Sequence, residues 1–393
     1  MRRKPIRLGV VVSHPIQYFV PLYRRLTKRN DIELKVFYTW HAATGSQRDP
    51  GFQQEIKWDI PLIDGYEFEL VRNVARNPGT HHFFGLRNPE LVDRVVSWRP
   101  DAVQITGYAF AAHLNAIRQL SRRGIPVLFR GDSHLLDEQQ RGVRWKLKHL
   151  ILSRIYRDVR GCLYVGKHNY DYYRAFGVPE SRLFYCPHSI DVDRFAEPND
   201  ELEARASAWK RELAIPETVR VMLFAGKFQS EKRPLQLMRA ILNMDRESVI
   251  LVLVGGGELE QGVRELAAVA PDRFRILPFQ NQSLMPVVYR LGDLFVLPSV
   301  SETWGLAVNE ALASGRRVLL SNRVGCASDV VTSREIGDIF TTFDRSDFGL
   351  RLRALFDAAP NRQNILNVAR RFTLPATEEA LCEALRQALD YPM

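Results

Sequence analysis

Two glutamates set eight residues apart, Glu302 and Glu310, are the first residues whose types and spacing suggest chemistry. Glu302 lies in a polar turn after an apolar strand predicted at residues 294–297, and Glu310 lies one to two turns into a helix predicted at residues 306–314. In an open α/β sheet, ligands bind at the C-terminal edge of the strands, and helix N-termini favour anions. The pair therefore predicts a ligand platform, with two solvated glutamates of an ordinary βαβ unit as the alternative.

A platform of this kind needs phosphate binders, and two lysines are candidates. Lys227 and Lys232 lie on one loop between a strand predicted at residues 219–225 and a helix predicted at residues 234–242. Two cations beside a helix N-terminus can hold a diphosphate and stabilise it as a leaving group. The alternative is a pair of solvated surface lysines, since lysine is mostly exposed in proteins.

Short apolar strands alternate with helices along the chain. Strands are predicted at residues 7–12, 33–38, 102–106, 126–130, 161–165, 219–225, 249–254, 274–277, 294–297 and 318–320. Helices are predicted at residues 20–28, 111–123, 143–157, 234–242, 259–268, 284–290, 306–314 and 378–391. This alternation is typical of parallel sheets covered by helices on both faces. Residues 39–85 are irregular and longer than a usual connection, as functional loops often are.

The length of 393 residues indicates about two domains. A segment at residues 187–195 and a polar stretch at residues 197–203 separate two halves of similar strand and helix pattern. We predict an N-terminal domain of residues 1–194, joined by the C-terminal helix of residues 376–393, and a C-terminal domain of residues 195–375. The predicted fold class is α/β, with two doubly wound Rossmann-like domains facing each other across a cleft.

The net charge of +10 is concentrated in the first half of the chain. Residues 1–194 contain 31 Lys and Arg against 19 Asp and Glu, whereas the remainder is close to neutral. This asymmetry favours an anionic partner for the first half: a phosphorylated acceptor, an anionic membrane surface or a nucleic acid. No recognised nucleic-acid motif is present, so we predict no nucleic-acid partner.

Several classes of protein are disfavoured by composition. No apolar run approaches the ~18 residues that span a bilayer, and the basic start precedes a short first strand rather than a signal peptide. The four cysteines are scattered, so neither a disulfide framework nor a zinc site is predicted. The run Gly255-Gly256-Gly257 after a strand is not the GxGxxG fingerprint of a dinucleotide-binding dehydrogenase. We expect a cytoplasmic protein, or one peripheral to the inner face of a membrane.

The motifs of the second half resemble those of a known family. Gly226-Lys227 and Lys232 in one strand-loop-helix unit, the triple glycine, and the stretch PSVSETWGLAVNEALASG are similar to the C-terminal domain of retaining glycosyltransferases of family 4. That family has the GT-B fold and uses nucleotide sugars. Glu302 and Glu310 match the two ends of its E-x7-E motif, and Lys227 stands where the family usually has arginine, which keeps the charge and loses the fork.

The resemblance implies a role for each matching residue. Glu302 would hold hydroxyls of the donor sugar and Glu310 those of the ribose, because a carboxylate can accept two hydroxyl donors at once. Lys227 and Lys232 would bind the diphosphate, and the base would lie near Phe279. The implied donor-binding residues are Gly226, Lys227, Lys232, Phe279, Glu302, Thr303, Trp304, Gly305, Leu306 and Glu310.

The N-terminal domain matches the family less tightly. Its first loop carries Ser13, His14 and Gln17 where many members have a glycine-rich phosphate loop. These polar groups either replace the phosphate contact or face the acceptor, and His14 and Gln17 are the acceptor-binding candidates. Asp132 aligns with the cleft histidine or aspartate of the family and could orient the acceptor hydroxyl, with His134 as the competing candidate. Alternatively, Asp132 caps the next helix or pairs with Arg130. The implied catalytic residues are Asp132, His134, Lys227, Lys232 and Glu302.

Two further segments have competing interpretations. The interdomain segment reads His188-Ser189 where the family usually has Asn-Gly, and its Asp191-Val192-Asp193 superficially resembles the metal-binding DxD of the other major glycosyltransferase fold. Its place in a linker before Arg194-Phe195 disfavours a metal site, so no metal is predicted. Residues 141–157 form a basic amphipathic helix that packs on the sheet and turns its other face to a membrane, a partner or solvent.

The sequence thus predicts a retaining, metal-independent glycosyltransferase that needs no cofactor beyond a UDP- or GDP-sugar donor. Its acceptor would be a glycan, a lipid-linked molecule or a small molecule, as in the assembly of surface polysaccharide or glycolipid. The alternatives are a nucleotide-sugar epimerase of GT-B fold, a glycosyltransferase of small molecules or natural products, and a non-catalytic binder of sugar nucleotides or nucleic acid.

Overall fold

The computed structural model describes residues 4–40, 47–49, 51–138, 142–196, 199–244, 249–342 and 344–390. Strands span Ile6–Val12 (β1), Ile32–Tyr38 (β2), Gln47–Asp49 (β3), Gln54–Ile56 (β4), Glu67–Leu70 (β5), Ala102–Thr106 (β6), Val127–Arg130 (β7), Gly161–Tyr164 (β8), Leu183–Tyr185 (β9), Arg220–Lys227 (β10), Val249–Gly256 (β11), Phe274–Leu277 (β12), Leu294–Leu297 (β13), Arg317–Ser321 (β14) and Gly337–Phe340 (β15).

Helices span Val20–Leu26 (α1), Leu91–Ser97 (α2), Ala111–Arg122 (α3), Gly142–Arg157 (α4), Lys167–Ala175 (α5), Val192–Ala196 (α6), Asn199–Glu212 (α7), Pro234–Leu242 (α8), Glu260–Val269 (α9), Met285–Leu291 (α10), Leu306–Ala313 (α11), Ala327–Val330 (α12), Arg345–Asp357 (α13), Arg362–Ala369 (α14) and Leu374–Asp390 (α15). Some predicted positions lie outside the described residues, among them Arg141 of the basic helix, residues 197–198 of the linker and residues 391–393 of the C-terminal helix.

The contacts divide the chain into two compact units, and unit 1 comprises Met1–Gly45, Pro61–Ser189 and Leu374–Met393. Its sheet has the order β5-β2-β1-β6-β7-β8-β9, and every neighbouring pair is parallel. In β1, Val10 and Val12 point into one hydrophobic cluster and Val11 points into the other. Both faces of the sheet are therefore covered, which explains why β1 is a continuous apolar run.

Unit 2 comprises Ser46–Ile60 and Ile190–Thr373. Its main sheet has the order β12-β11-β10-β13-β14-β15, again with parallel pairs. The strand order reverses at β10, because β11 and β12 extend from one side of it and β13 begins on the other. Ligands bind at such a switch point in doubly wound sheets, outside the carboxyl ends of the strands.

The predicted fold class, two doubly wound parallel sheets, is confirmed by these two topologies. Each predicted strand is present, and the sheets gain the short edge strands β5, β9 and β15. The final helix begins at Leu374, four residues before the predicted start at residue 378, because Pro375 fits the first turn of a helix.

Residues 46–60 are the notable departure from the sequence-based division, which placed them with residues 1–194. Strands β3 and β4 in this stretch pair in antiparallel fashion, and the stretch belongs to unit 2 with residues 190–373.

The two ends of residues 190–373 in unit 2 are in contact. The Ile190 backbone N–H donates to the Phe372 carbonyl at 3.1 Å, and Ile190 bridges Thr373 in parallel. The chain therefore enters and leaves this part of unit 2 at adjacent positions.

Candidate functional site

The predicted cation Lys232 and the predicted carboxylate Glu302 meet at the switch point of unit 2. Lys232 ends a 3-10 turn between β10 and α8, and Glu302 lies in the loop after β13. The Val300 backbone N–H of that loop donates to the Glu231 carbonyl at 2.8 Å, which fixes the two loops together. The Lys232 ammonium forms an ion pair with the Glu302 carboxylate, and both side chains keep some exposure, 24% and 16%.

The turn between Glu302 and α11 has a backbone that only glycine adopts readily. Gly305 precedes the first helical residue, Leu306, with φ 99° and ψ 62°, in the left-handed region. A Cβ at Gly305 would lie 3.2 Å from a methyl group of Val324. The turn can therefore bring its backbone and the N-terminus of α11 close to a ligand, as the predicted roles of Thr303, Gly305 and Leu306 require.

Trp304 has a different position from the one that a ligand-facing aromatic would take. Its ring is buried, its indole N–H donates to the Asn309 side-chain oxygen at 2.9 Å, and the ring packs edge-on against Phe372. The Cys326 backbone N–H donates to the Trp304 carbonyl at 3.0 Å. The indole thus supports the loop from the protein interior, and the donor contact that the resemblance implies for Trp304 is one of its backbone N–H.

Glu310 is a buried carboxylate on α11, 2% exposed. The Tyr289 hydroxyl from α10 donates to one Glu310 oxygen at 2.7 Å. Tyr289 in turn packs against Phe195 and Phe295, so its hydroxyl has a fixed position. Tyr289 was not among the predicted residues, because its separation from Glu310 in sequence gives no sign of the contact.

Lys227 ends β10 beside the predicted triple-glycine turn. Gly226 and Lys227 pair with Gly255 and Gly256 of β11. A Cβ at Gly255 would lie 1.9 Å from the Gly226 carbonyl, so glycine is required at this approach of the two strand ends. Lys227 therefore lies at the carboxyl edge of the sheet, on the strand that precedes the Lys232 turn.

Residues 51–59, which the sequence analysis left out of the site, cover Lys227 and Phe279. The Phe52 ring lies with its centroid 5.1 Å from the Lys227 ammonium and 4.8 Å from the Phe279 ring centroid. Trp58 adds a second edge-on contact to Phe279, with ring centroids 6.2 Å apart. A Cβ at Gly51 would lie 2.5 Å from the Lys227 side chain. We call these residues the 51–59 segment.

The far end of the 51–59 segment is fixed by polar contacts to the loop after β12. The Ser283 backbone N–H and hydroxyl both donate to the Asp59 carboxylate. The Asn281 amide donates to the Lys57 carbonyl at 2.7 Å, and its oxygen accepts from the Asp59 backbone N–H at 3.3 Å. The segment is thus attached to this loop through residues 57–59.

In unit 1, Asp132 lies in the loop between β7 and α4, near a histidine that the sequence analysis did not select. One Asp132 oxygen is 3.6 Å from the ring Nε2 of His188. His188 is buried and stacks on Phe19, with ring planes 11° apart. Burial lowers the pKa of His188, and Asp132 opposes that shift in part. The sequence had one sign of a special role for His188: it stands where the family usually has asparagine.

Two alternative roles were predicted for Asp132, a cap on the next helix and a pair with Arg130. The next helix, α4, begins at Gly142, ten residues after Asp132, so the aspartate does not cap it. The Arg130 guanidinium donates to the Cys186 sulfur at 2.8 Å and to the Pro187 carbonyl at 3.1 Å. Arg130 therefore ties β7 to residues 186–187, the segment that carries His188.

The other predicted residues of unit 1 lie on two separate loops. His14 and Gln17 follow β1, and His134 lies in the loop after β7 and is buried. The Ser13 hydroxyl is 2.9 Å from the His14 ring Nδ1, and Trp40 packs edge-on against that ring. Burial lowers the pKa of His14 to about 4, so its imidazole is neutral at pH 7. His14 can therefore exchange hydrogen bonds with an acceptor but cannot supply a positive charge there.

Among the residues that the structure describes, no group of three or more His, Cys, Asp or Glu side chains is placed to hold a metal ion. The four cysteines are free and buried. The predictions of no metal and no cofactor remain predictions.

Comparison with known proteins finds a family match for part of the chain. Residues 206–372, which contain β10–β15 and all of the predicted donor residues, match the family model "Glycosyl transferases group 1". This stretch is similar to that family. The matched stretch includes Lys227, Lys232, Glu302 and Glu310, whereas the 51–59 segment and unit 1 lie outside the match.

Curated relatives of the chain include two proteins named D-inositol 3-phosphate glycosyltransferase. The protein from Nocardia farcinica is 31% identical over 229 residues, which are 54% of this chain and 49% of that protein. The one from Catenulispora acidiphila is 29% identical over 235 residues, 55% of this chain and 53% of that protein. The chain spans about half the length of the curated relatives that it matches.

Solved structures extend the similarity of fold to almost the whole chain. A glycosyltransferase from Rickettsia africae has a TM-score of 0.75 at 12% identity, covering 99% of this chain and all of that one. The HepE protein of Anabaena, solved in complex with UDP, has a TM-score of 0.73 at 14% identity, covering 97% of this chain and 99% of that one. Both similarities show the fold, and they agree with the predicted GT-B class.

Proposed function

We propose that the chain is a retaining glycosyltransferase that moves a sugar from a nucleoside diphosphate to an acceptor hydroxyl without a metal ion. The observation that carries the proposal is the Lys232–Glu302 ion pair at the switch point, next to the left-handed Gly305 turn and the N-terminus of α11. The group 1 domain match over these residues and the UDP complex of the Anabaena protein support it.

The proposed site has three ends. Lys227 and Lys232 bind the diphosphate, Glu302 accepts hydrogen bonds from sugar hydroxyls, and Glu310 accepts from the ribose. Without donor, the opposite charges of Lys232 and Glu302 satisfy each other. A bound donor replaces that contact with two new ones, phosphate on the lysine and hydroxyls on the carboxylate, so neither charge loses its partner.

The proposed transfer breaks the bond between the anomeric carbon and the diphosphate oxygen. The acceptor oxygen forms its new bond on the same face of the sugar, and its proton passes to the departing phosphate oxygen. Lys227, Lys232 and the α11 N-terminus stabilise the charge that develops on the diphosphate. In unit 1, the Asp132–His188 pair supplies the hydrogen bonds that orient the acceptor, and His134 and the neutral His14 are further candidates for that role.

The acceptor side is proposed from charge and from the relatives. Residues 1–194 are strongly basic, and the curated relatives are named for a phosphorylated polyol, D-inositol 3-phosphate. We propose an acceptor that bears phosphate, either a glycan or lipid carrier used in surface polysaccharide assembly at an anionic membrane, or a small phosphorylated molecule. Cytoplasmic donors would reach such an enzyme on the inner face of the membrane.

A donor screen tests the proposal directly. We expect one of UDP-, GDP- or dTDP-sugars to raise the melting temperature, because a ligand at about 100 times its Kd stabilises the folded state by about 2.7 kcal/mol. The donor that binds should then be hydrolysed or transferred in the presence of EDTA, with the anomeric configuration retained by NMR. Strict dependence on Mg²⁺ or Mn²⁺ would contradict the metal-free mechanism, and isomerised donor without acceptor would identify an epimerase.

Phe52 is expected to oppose donor binding. Its ring fills the space between Lys227 and Phe279, where the diphosphate and the base are proposed to lie, and the 4.8 Å between the two ring centroids leaves no room for a base. A donor must therefore displace Phe52 and give up its cation and ring contacts, each about 0.5–1.5 kcal/mol. We expect Phe52→Ala to lower the Kd of the donor about tenfold by calorimetry.

The control for Phe52 is an exposed aromatic residue that is not one of the proposed donor residues. Phe84, in unit 1, is 64% exposed, and Phe84→Ala should leave the donor Kd unchanged. Weaker binding in Phe52→Ala would show instead that the ring contacts the bound nucleotide. Binding by neither the wild type nor the variant would count against the proposed function rather than against the role of Phe52.

A further inference from the structure

One surface of unit 1 exposes large aliphatic side chains on a helix. On α4, Val143, Leu147, Leu150 and Ile151 are 81%, 56%, 65% and 45% exposed. Their spacing of three and four residues places them on one stripe of the helix, while Leu152, Ile155 and Tyr156 on its other side are buried in the unit. Exposed aliphatic residues arranged in this way indicate an interaction surface rather than scattered surface residues.

The charged side chains of α4 are all basic. The helix contains five Lys and Arg and no Asp or Glu between Gly142 and Arg157. Arg154 lies in line with the aliphatic stripe, and Lys146 and Arg157 lie along one edge of it by helical spacing. A helix with a cationic border around an aliphatic stripe fits the interface of an anionic bilayer, where the charges meet headgroups and the stripe enters the acyl region.

A cluster of arginines lies beside this stripe. Arg118 and Arg122 of α3 and Arg123, which follows it, line a surface cavity of about 580 Å³ together with Arg154 of α4. Asp158 is the only carboxylate in its lining, and Arg123 also pairs with Asp93 at 3.6 Å. Within the part of the chain that the structure describes, no carboxylate forms an ion pair with Arg118, Arg122 or Arg154. Guanidinium groups bind phosphate through paired N–H donors, so the cavity suits a lipid phosphate.

We propose that the α3–α4 face, defined by the aliphatic stripe of α4 and the four-arginine cavity, docks unit 1 on an anionic phospholipid bilayer. Aliphatic and cationic groups side by side favour a bilayer over a nucleic acid, which would use the cations and leave the stripe in water. They also favour it over a second copy of the chain, which would bring the same positive face to meet this one. Among the described residues, no helix is long and apolar enough to cross a membrane.

The docking deepens the proposed function, because it would bring the enzyme to an acceptor at a lipid surface. In that respect it rests on the proposed function. The binding itself is independent of sugar transfer, so the two can fail separately. If vesicles are bound and no nucleotide sugar is, the docking stands and the proposed donor chemistry fails. If a donor is bound and vesicles are not, the reverse holds.

The experiment is co-sedimentation of the full chain with vesicles of phosphatidylcholine, with and without phosphatidylglycerol. We expect binding to the anionic vesicles that weakens with salt, and little binding to phosphatidylcholine alone. Leu150→Glu should reduce binding to anionic vesicles by about tenfold or more, because it places a carboxylate in the apolar stripe. The matched control is Leu350→Glu on α13, since Leu350 is also 65% exposed and should leave binding unchanged.

The arginine cavity has its own variant. Arg118→Gln with Arg122→Gln should reduce binding to anionic vesicles and flatten its salt dependence, while the donor-induced thermal shift stays as in the wild type. Equal losses in Leu150→Glu and Leu350→Glu would overturn the proposal, as would equal binding of the wild type to both kinds of vesicle. A dimer in sedimentation velocity that Leu150→Glu dissociates would assign the face to a second copy, and tight RNA binding unaffected by Leu150→Glu would assign its charge to nucleic acid.

Discussion

Replacing Lys232 with methionine is expected to lower the rate of sugar transfer by about 10²–10³-fold, the usual cost of losing one group that stabilises charge in a transition state. Lys232 lies at the C-terminal edge of β10, paired with Glu302 and beside the N-terminus of α11. Charge on the leaving diphosphate grows as the glycosidic bond breaks, so the loss should fall mainly on kcat. Steady-state kinetics with the donor found by the screen measures it.

The loss of Lys232 also leaves the Glu302 carboxylate without its cation, which could lower activity through misfolding. Two variants separate the effects. Lys232→Arg keeps the charge and should recover most of the rate, and Lys210→Met removes another lysine of unit 2, one placed 4.0 Å from Asp293, and should leave the rate unchanged. The melting temperature of each variant reports stability. An unchanged kcat in Lys232→Met would contradict the leaving-group role.

Replacing Glu310 with alanine is expected to raise the Kd of the nucleotide by about ten- to hundredfold, because a hydrogen bond to a charged group contributes about 1.5–3 kcal/mol. The carboxylate is buried and oriented by the Tyr289 hydroxyl, so its geometry is set before the ligand arrives. The loss should vanish with a dideoxy nucleotide, which lacks the ribose hydroxyls. Calorimetric titration with the two nucleotides makes the comparison.

Tyr289→Phe is the control for Glu310. It removes the hydroxyl that holds the carboxylate and keeps the ring that packs against Phe195 and Phe295. We expect a smaller loss of affinity than in Glu310→Ala, since the carboxylate remains and only its orientation is released. If Glu310→Ala binds the nucleotide that has ribose hydroxyls as tightly as the wild type does, Glu310 is not part of the ribose site.

The sequence was informative where a local pattern determines the structure. Strands such as β1 and β11 are buried on both faces, so they appear as continuous apolar runs. The meeting of Lys232 and Glu302 follows from the same logic, because the carboxyl ends of neighbouring parallel strands lie at one edge. The edge strands β5 and β15 were missed, since Glu67, Glu69 and Asp338 interrupt any apolar run.

The parts that the sequence could not provide are contacts between distant segments. Phe52 lies 227 residues before Phe279, and no periodicity in an irregular loop indicates that the two rings meet. His188 reaches Asp132 in the same way, through a segment that Arg130 ties to β7. For Trp304, the sequence predicted the ligand loop but not the direction of the ring, because that direction depends on contacts with Asn309 and Phe372.

The adjacency of Ile190 and Thr373 has an evolutionary and engineering consequence. Because the two ends of residues 190–373 are adjacent, this segment can be exchanged as one piece. A recombination crossover at each end would replace it and leave every other connection of the chain unchanged. Recombination there would replace all of the proposed donor residues in a single event. The incoming segment would lack Gly51 and Phe52, which the recipient supplies. A chimaera would thus inherit the proposed donor residues from one parent and the residues that cover Lys227 and Phe279 from the other.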